Sequence, residues 1–477
     1  RDVFFKAVER RAGIMTEIAR LMILRTRQAA TQDIVGAPSV FGFISVDSGP
    51  PIRPMVDLIA AEVKKLGYSV SVAGAEAAEA NTEWFTALEA ANDFIFYCAE
   101  RGQPAWKAMV GRQVDRLFWV GHGEAKPPKA FAGYASRPLL RQGLVDLLLI
   151  QPMNRKRPQG TDAWLDTSKA TRVFHVHQGN AKDIARLARI VTGQAVGLVL
   201  SGGGARAYSH IGAIRALREY GVPIDFVGGS SMGAIIGAGV ALGWDDAEME
   251  RRVRDAFVDS SPVGDIAFPI LAMARGDRVR ARLKTHFGAI QIADMPLPFF
   301  CVSSNLTTGA YHLHRRGLLR RALRASISLP GVLPPTTEDG EVLVDGAVMK
   351  NLPADLMHAF HLGPIIGVDV SRARSITAEE VTRPPFWSWL FSGAWRQGPP
   401  IVSLLMRAAT VGAGRDLADA RALCDMLVQP KVDGIDIRDW QAYEPAVQAG
   451  YDATRAALDE LSTPITEIHK RKPLAAE

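Results

Sequence analysis

The stretch Ala195-Val196-Gly197-Leu198-Val199-Leu200-Ser201-Gly202-Gly203-Gly204-Ala205-Arg206 runs from an apolar hexamer straight into three consecutive glycines. The hexamer reads as a buried strand. Beyond the glycines, Ile211, Ile214, Leu217 and Tyr220 are apolar at helical spacing, and Gly221 ends the run. A glycine turn between strand and helix offers backbone N–H groups at a helix start, where negative charge can be held. A second unit follows. Ile224-Asp225-Phe226-Val227-Gly228 reads as another strand and Met232 to Leu242 as a buried helix, with Gly229-Ser230-Ser231-Met232-Gly233 between them. This fits the Gly-x-Ser-x-Gly elbow, whose serine sits on a sharp strand-to-helix turn. In α/β folds the strands' carboxyl ends face one crevice, so both turns are expected there. One turn would supply a nucleophile and the other a place for an oxyanion, which points to acyl transfer and above all to ester hydrolysis.

A dinucleotide site is the competing reading of the first turn. Gly202-Gly203-Gly204-Ala205-Arg206-Ala207 lacks the third glycine of that fingerprint, and the next strand ends in Gly228-Gly229 rather than an acidic residue. No Walker lysine is present there. Asp345, in Val342-Leu343-Val344-Asp345-Gly346-Ala347, ends another apolar run. Alone it would read as a turn residue; beside a serine elbow it is a candidate base.

With these residues in order, the chain resembles the patatin-like phospholipase family, and within it the neuropathy target esterase branch and its bacterial relatives. The flanks that carry the branch resemblance are His210-Ile211-Gly212, Ser304 to Gly309, Arg324 to Gly331, and Asp439-Trp440 through Gly450-Tyr451. The resemblance implies a Ser–Asp dyad, with Ser231 as nucleophile and Asp345 accepting or orienting its proton. It also implies an oxyanion hole of Gly202, Gly203 and Gly204 with Arg206 nearby, and an elbow framed by Gly229 and Gly233. No metal or other cofactor is expected. The substrates implied are phospholipids or lysophospholipids, cleaved to release fatty acid by a lysophospholipase-type esterase of lipid degradation. Two departures stand out: Ser201 precedes the glycines, and Ala207 takes the place of a glycine. If position 207 needed a left-handed backbone, alanine would strain the loop. A triad using His358 or His361 is the mechanistic alternative; both read as part of a surface helix. His210 reads as a helix-packing residue. Two rival functions remain open, a decayed scaffold and a soluble small-ester hydrolase or thioesterase.

The expected fold class is α/β: a patatin-like three-layer α/β/α catalytic domain preceded by a degenerate Rossmann-like α/β domain. Residues 1–35 read as the helical end of a truncated upstream module, similar to the terminal helices of a cyclic-nucleotide-binding domain. They carry no phosphate cassette, so this chain is not expected to bind cyclic nucleotide, which would act, if at all, only through a missing upstream module. The start at Arg1 fits a fragment. Residues 36–170 alternate strands (40–46, 68–72, 94–97, 116–120, 144–150) with helices (55–66, 84–91), which implies a parallel sheet. Asp47-Ser48-Gly49-Pro50-Pro51 lies where a phosphate loop would be, but it has no lysine and two prolines without N–H donors. This domain is therefore expected to be non-catalytic and to serve regulation or docking. Residues 171–375 form the expected catalytic domain, entered through a helix at 171–192. Residues 376–477 form an extension containing the aromatic cluster Pro384 to Trp395, which reads either as a membrane-interface patch or as a lid.

The 477 residues carry a net charge of +6, which favours anionic lipid surfaces but is too diffuse for nucleic acid. Cys98, Cys301 and Cys424 are widely spaced, with neither a metal nor a disulfide pattern. No signal peptide or long apolar run is evident. The expected setting is cytoplasmic with peripheral membrane contact.

Overall fold

The computed structural model describes residues 38–371 and 414–470, except 47–48, 130, 132–134, 136–138, 140–142, 156, 261–263, 266–271 and 362. The leader helix at 3–25, the start of the loop at 47–51 and the aromatic cluster at 384–395 thus lie outside the described residues, wholly or in part.

The first half is built from β1 (Val40–Ser45), α1 (Arg53–Lys65), β2 (Val70–Ala73), α2 (Thr82–Ala91), β3 (Phe94–Ala99), α3 (Pro104–Gln113), β4 (Arg116–His122), β5 (Val145–Gln151), α4 (Thr161–Ser168), β6 (Arg172–His177) and α5 (Ala181–Thr192). Its strands form a six-stranded sheet in the order β2-β3-β1-β4-β5-β6, parallel throughout. Alternate residues of β1 face opposite cores: Phe41 and Phe43 pack under α1 and α5, while Val40 and Ile44 pack under α2, α3 and α4. Both faces are covered, as a parallel sheet requires. β3 rather than β2 lies beside β1, which distinguishes this sheet from the dinucleotide-binding strand order.

Residues 171–192, expected as one helix, are β6 followed by α5. Arg172-Val173-Phe174-His175-Val176-His177 pairs in parallel with β5, so the first sheet reaches His177. The helical stripe begins only at Ile184, after Asn180 caps the Lys182 amide. Gly193, at φ 74, closes the helix in a left-handed turn.

The second half contains β7 (Gly197–Leu200), α6 (Ser209–Glu219), β8 (Phe226–Ser230), α7 (Ser231–Ala241), α8 (Asp246–Val253), α9 (Asp277–Phe287), β9 (Phe299–Asn305), β10 (Ala310–His314), α10 (Leu319–Ser326), β11 (Thr336–Glu338), β12 (Glu341–Asp345), α11 (Ala354–Phe360), β13 (Ile365–Val368), α12 (Gly414–Ala422), β14 (Met426–Val428) and α13 (Tyr443–Asp459). The sheet order is β11-β12-β9-β8-β7-β13-β14, with β10 also paired to β9. β7, β8, β9, β13 and β14 are parallel, while β10 and β12 run antiparallel to β9. α6, α7, α9, α10 and α13 cover one face; α5 and α11 cover the other. This is the three-layer α/β/α arrangement.

The apolar core under α5 is continuous between the two sheets. Phe174 of β6 meets Phe226 of β8 edge-on, with ring centroids 6.0 Å apart. Among the described residues no helix is long and apolar enough to cross a membrane.

Candidate active site

Every residue of α7 is buried, and its sequence, Ser-Met-Gly-Ala-Ile-Ile-Gly-Ala-Gly-Val-Ala, explains how. A Cβ on Gly233 would run into the carbonyl oxygens of Leu200 and Ser201, and one on Gly229 would meet the backbone of Gly233 and Ala234. Glycine at both points lets the helix start directly against the strand ends. The chain then turns so sharply that Ser231 sits at φ 52, a left-handed conformation that costs a non-glycine residue about 1–3 kcal/mol. Neighbouring groups hold it there. The Ser231 amide donates to Ser326 Oγ at 2.9 Å, and that hydroxyl donates to the Val302 carbonyl at 2.6 Å.

Asp345 ends β12, opposite Ser303 of β9. Because β12 is antiparallel to β9, its last residue arrives beside the end of β8. There Ser231 Oγ donates to Asp345 Oδ2 at 2.7 Å, and Asp345 Oδ1 accepts the Ala347 amide at 2.8 Å. The Asp345 amide donates to the Ser328 carbonyl at 2.9 Å. The aspartate is 1% exposed. Burial pushes its pKa up to about 6, against the lowering effect of the bonds from Ser231 and Ala347. The Arg324–Gly331 stretch thus braces both residues: Ser326 holds the serine, Ser328 holds the aspartate, and Arg324 Nη1 holds Ser328 Oγ at 2.6 Å.

The glycine turn stands against this pair, since a Cβ on Gly202 would contact both Ser231 Cβ and Asn351 Oδ1. The expected set of oxyanion donors narrows here. The Gly202 amide donates to Asn351 Oδ1 at 3.0 Å, so it is occupied. Arg206 Nε donates to the Ile435 carbonyl at 2.6 Å, which ties the loop to the C-terminal segment. The amides of Gly203 and Gly204 have no protein acceptor among the described residues. Gly204 lies at φ 57, where a Cβ would strike the Ile437 carbonyl. Ala207 is not at positive φ; it is buried in a short 3₁₀ turn, so the departure from glycine there produces no left-handed strain.

Among the described residues, no histidine joins Ser231 or Asp345. His358 is exposed on α11. His361 is buried, accepts the Gly363 amide at 2.9 Å and stacks on Phe226. His210 bonds through Nε2 to the Ser201 carbonyl at 2.8 Å, with its pKa pushed down to about 4 by burial; it packs α6 against the loop, as expected. The sequence reading does not reach the bracing roles of Ser326, Ser328 and Asn351, nor those of the Ile435 and Ile437 carbonyls. Their roles rest on distant backbone contacts that no local pattern announces.

At the first sheet, Glu100 Oε1 accepts the Ile52 and Arg53 amides at 2.9 and 2.8 Å. The protein's own carboxylate therefore fills the anion-binding end of α1.

The sequence profile of the patatin-like phospholipases matches residues 198–358, which span both turns and Asp345. The chain is 32% identical to the uncharacterized NTE family protein Rv2565 of Mycobacterium tuberculosis, over 96% of this chain and 79% of that protein. It is 28% identical to the human patatin-like phospholipase domain-containing protein 6, over 79% of this chain but only 30% of that longer protein. A solved structure, VipD from Legionella pneumophila, overlaps at a TM-score of 0.33 and 16% identity, over 56% of this chain and 67% of that one. The chain belongs to the NTE family of patatin-like phospholipases, a family of lipid ester hydrolases.

Proposed function

We propose that this chain is a serine acyl hydrolase that cleaves carboxylic esters of phospholipids or lysophospholipids through Ser231 and Asp345. The observation that carries the reading is the 2.7 Å hydrogen bond from Ser231 Oγ to a buried carboxylate, made at a strained elbow. A carboxylate held at about 6 is ionised at neutral pH, yet it is a stronger base than an exposed aspartate. It takes the Ser231 proton as Oγ attacks the ester carbonyl carbon. The carbonyl electron pair moves to oxygen, and the oxyanion lies against the Gly203 and Gly204 amides of the glycine turn that precedes α6. Collapse expels the alcohol, which takes the proton back from Asp345 and leaves an acyl-serine. Water, giving its proton to Asp345, then attacks the acyl carbon; the carbon–Oγ bond breaks, Ser231 Oγ takes the proton back from Asp345, and fatty acid is released. Residues 376–477 extend the catalytic domain in this reading. Residues 36–170 take a docking or regulatory role, and the net charge of +6 favours peripheral contact with anionic lipid.

The test is fatty acid release from lysophosphatidylcholine by the wild type and by Ser231→Ala, Asp345→Ala and His358→Ala. The dyad reading expects losses of at least about 100-fold for the first two and unchanged release for His358→Ala. Loss in a folded His358→Ala variant would restore the triad. Wild-type activity on short soluble esters alone would favour a small-ester hydrolase. Inactivity on both substrates would favour a decayed scaffold.

A further inference from the structure

Away from Ser231, the fold brings together three side chains with metal-ligating chemistry. His312 and His314 alternate along β10 and therefore project from one face of the strand; their ring centroids are 4.6 Å apart. Glu338, at the end of β11, faces them. One nitrogen of each imidazole and one Glu338 oxygen all lie within 4.8 Å of one another. Glu338 Oε2 is 4.0 Å from His314 Nδ1, beyond hydrogen-bond reach, and Glu341 Oε2 is 3.5 Å from His312 Nδ1. Glu341 is itself oriented by Asn305 Nδ2, which donates to Oε2 at 2.6 Å.

The support behind these side chains is also built. His314 is buried, and its Nε2 is 2.8 Å from Ser303 Oγ. With Nε2–H donating to that hydroxyl, the Nδ1 lone pair is left on the side of Glu338. Fixing one ring nitrogen so that the other can bind is the usual support of a ligating histidine. The cluster borders a cavity of about 480 Å³ between β6 and the β9–β10 hairpin, which leaves room for water at an open coordination position.

We propose that His312, His314 and Glu338 bind a first-row divalent cation, zinc above all, with Glu341 beside His312 as a carboxylate outside the ligand set. Two imidazoles with carboxylate suit zinc better than magnesium or calcium, which favour all-oxygen shells. The site would clip the β9–β10 hairpin to the β11–β12 hairpin. Ser303 links it to the candidate active site: it holds His314 by its side chain and pairs with Asp345 by its backbone. The assigned role is to brace the fold and does not depend on the hydrolase reading.

The test is calorimetric titration of the chelator-treated full chain with zinc, together with the visible spectrum after cobalt(II) addition. The expected result is one saturable site per chain, with intense four- or five-coordinate cobalt bands and a midpoint of thermal unfolding that rises with zinc. His312→Ala and Glu338→Gln, whose side chains reach the surface, should fold and lose affinity by more than about 100-fold; His358→Ala should bind as the wild type does. Absence of saturable binding overturns the proposal, as does binding that persists in both His312→Ala and Glu338→Gln. If His314→Ala fails to fold, those two variants still decide the matter.

Discussion

Ser231 and Asp345 each occupy a place that folding alone would not choose. The serine holds a left-handed backbone, and the aspartate is an acid buried at 1% exposure without a cationic partner among its hydrogen bonds. Two expectations follow from the raised pKa of about 6. As the base must be ionised, the rate of ester hydrolysis should fall tenfold per pH unit below about 6; a kcat/KM profile checks this, and a flat profile down to pH 4 would remove Asp345 as the base. Stability runs the other way. Because the folded pKa lies above the unfolded value near 4, the folded state gains stability as pH falls and loses it as pH rises through about 6. Asp345→Asn should therefore be inactive yet more stable than wild type at neutral pH, by up to about 3 kcal/mol. The gap should close below about pH 4, as denaturant titration at several pH values would show.

At the level of elements, close backbone approach explains glycines that periodicity leaves unexplained. Gly212 of α6 and Gly450 of α13 lie where the two helices cross. A Cβ on Gly212 would meet the Val447 carbonyl, and one on Gly450 would meet the Ser209 carbonyl. The obstacles are backbone atoms, which cannot rotate away. Gly450→Val should force the helices apart and cost about 1–3 kcal/mol or more, seen as a lower unfolding midpoint. It should also disturb hydrolysis, because the segment leading into α13 accepts the Ala205 amide at Ile437 and the Arg206 guanidinium at Ile435. The strand–turn–helix units around Gly202 and Ser231 were legible because both signals are local: an apolar run and then glycines. The split of 171–192 into β6 and α5 was harder to see, since Arg172–His177 carries three charged or imidazole side chains and is defined as a strand by its pairing with β5.

Across the whole molecule, the two sheets are joined by a buried charged cluster as well as by apolar packing. Asp146 is fully buried and accepts Arg116 Nε and Arg172 Nη2, both at 2.6 Å. Burial would raise its pKa, but the two guanidiniums outweigh that and hold it down at about 2. Arg172 Nη1 also reaches the Phe360 carbonyl at 3.2 Å, in the second half. Asp146→Asn would leave two arginines facing each other without their carboxylate, which should cost about 3–5 kcal/mol. Because the core under α5 is shared, both halves should lose stability together; two separate transitions, with only the first half affected, would contradict this.

The order of amino acids was enough to specify the α/β class and the succession of glycine turn, serine elbow and aspartate along the chain, because glycine turns and apolar runs act over a few residues. Which groups complete the site was settled by packing. Asn351 takes the Gly202 amide from 149 residues away, Ser326 steadies Ser231 from 95 residues away, and an antiparallel β12 delivers Asp345 to the elbow. Hydrogen bonds of that kind depend on where the packed sheet puts distant backbone, and no spacing along the chain encodes them.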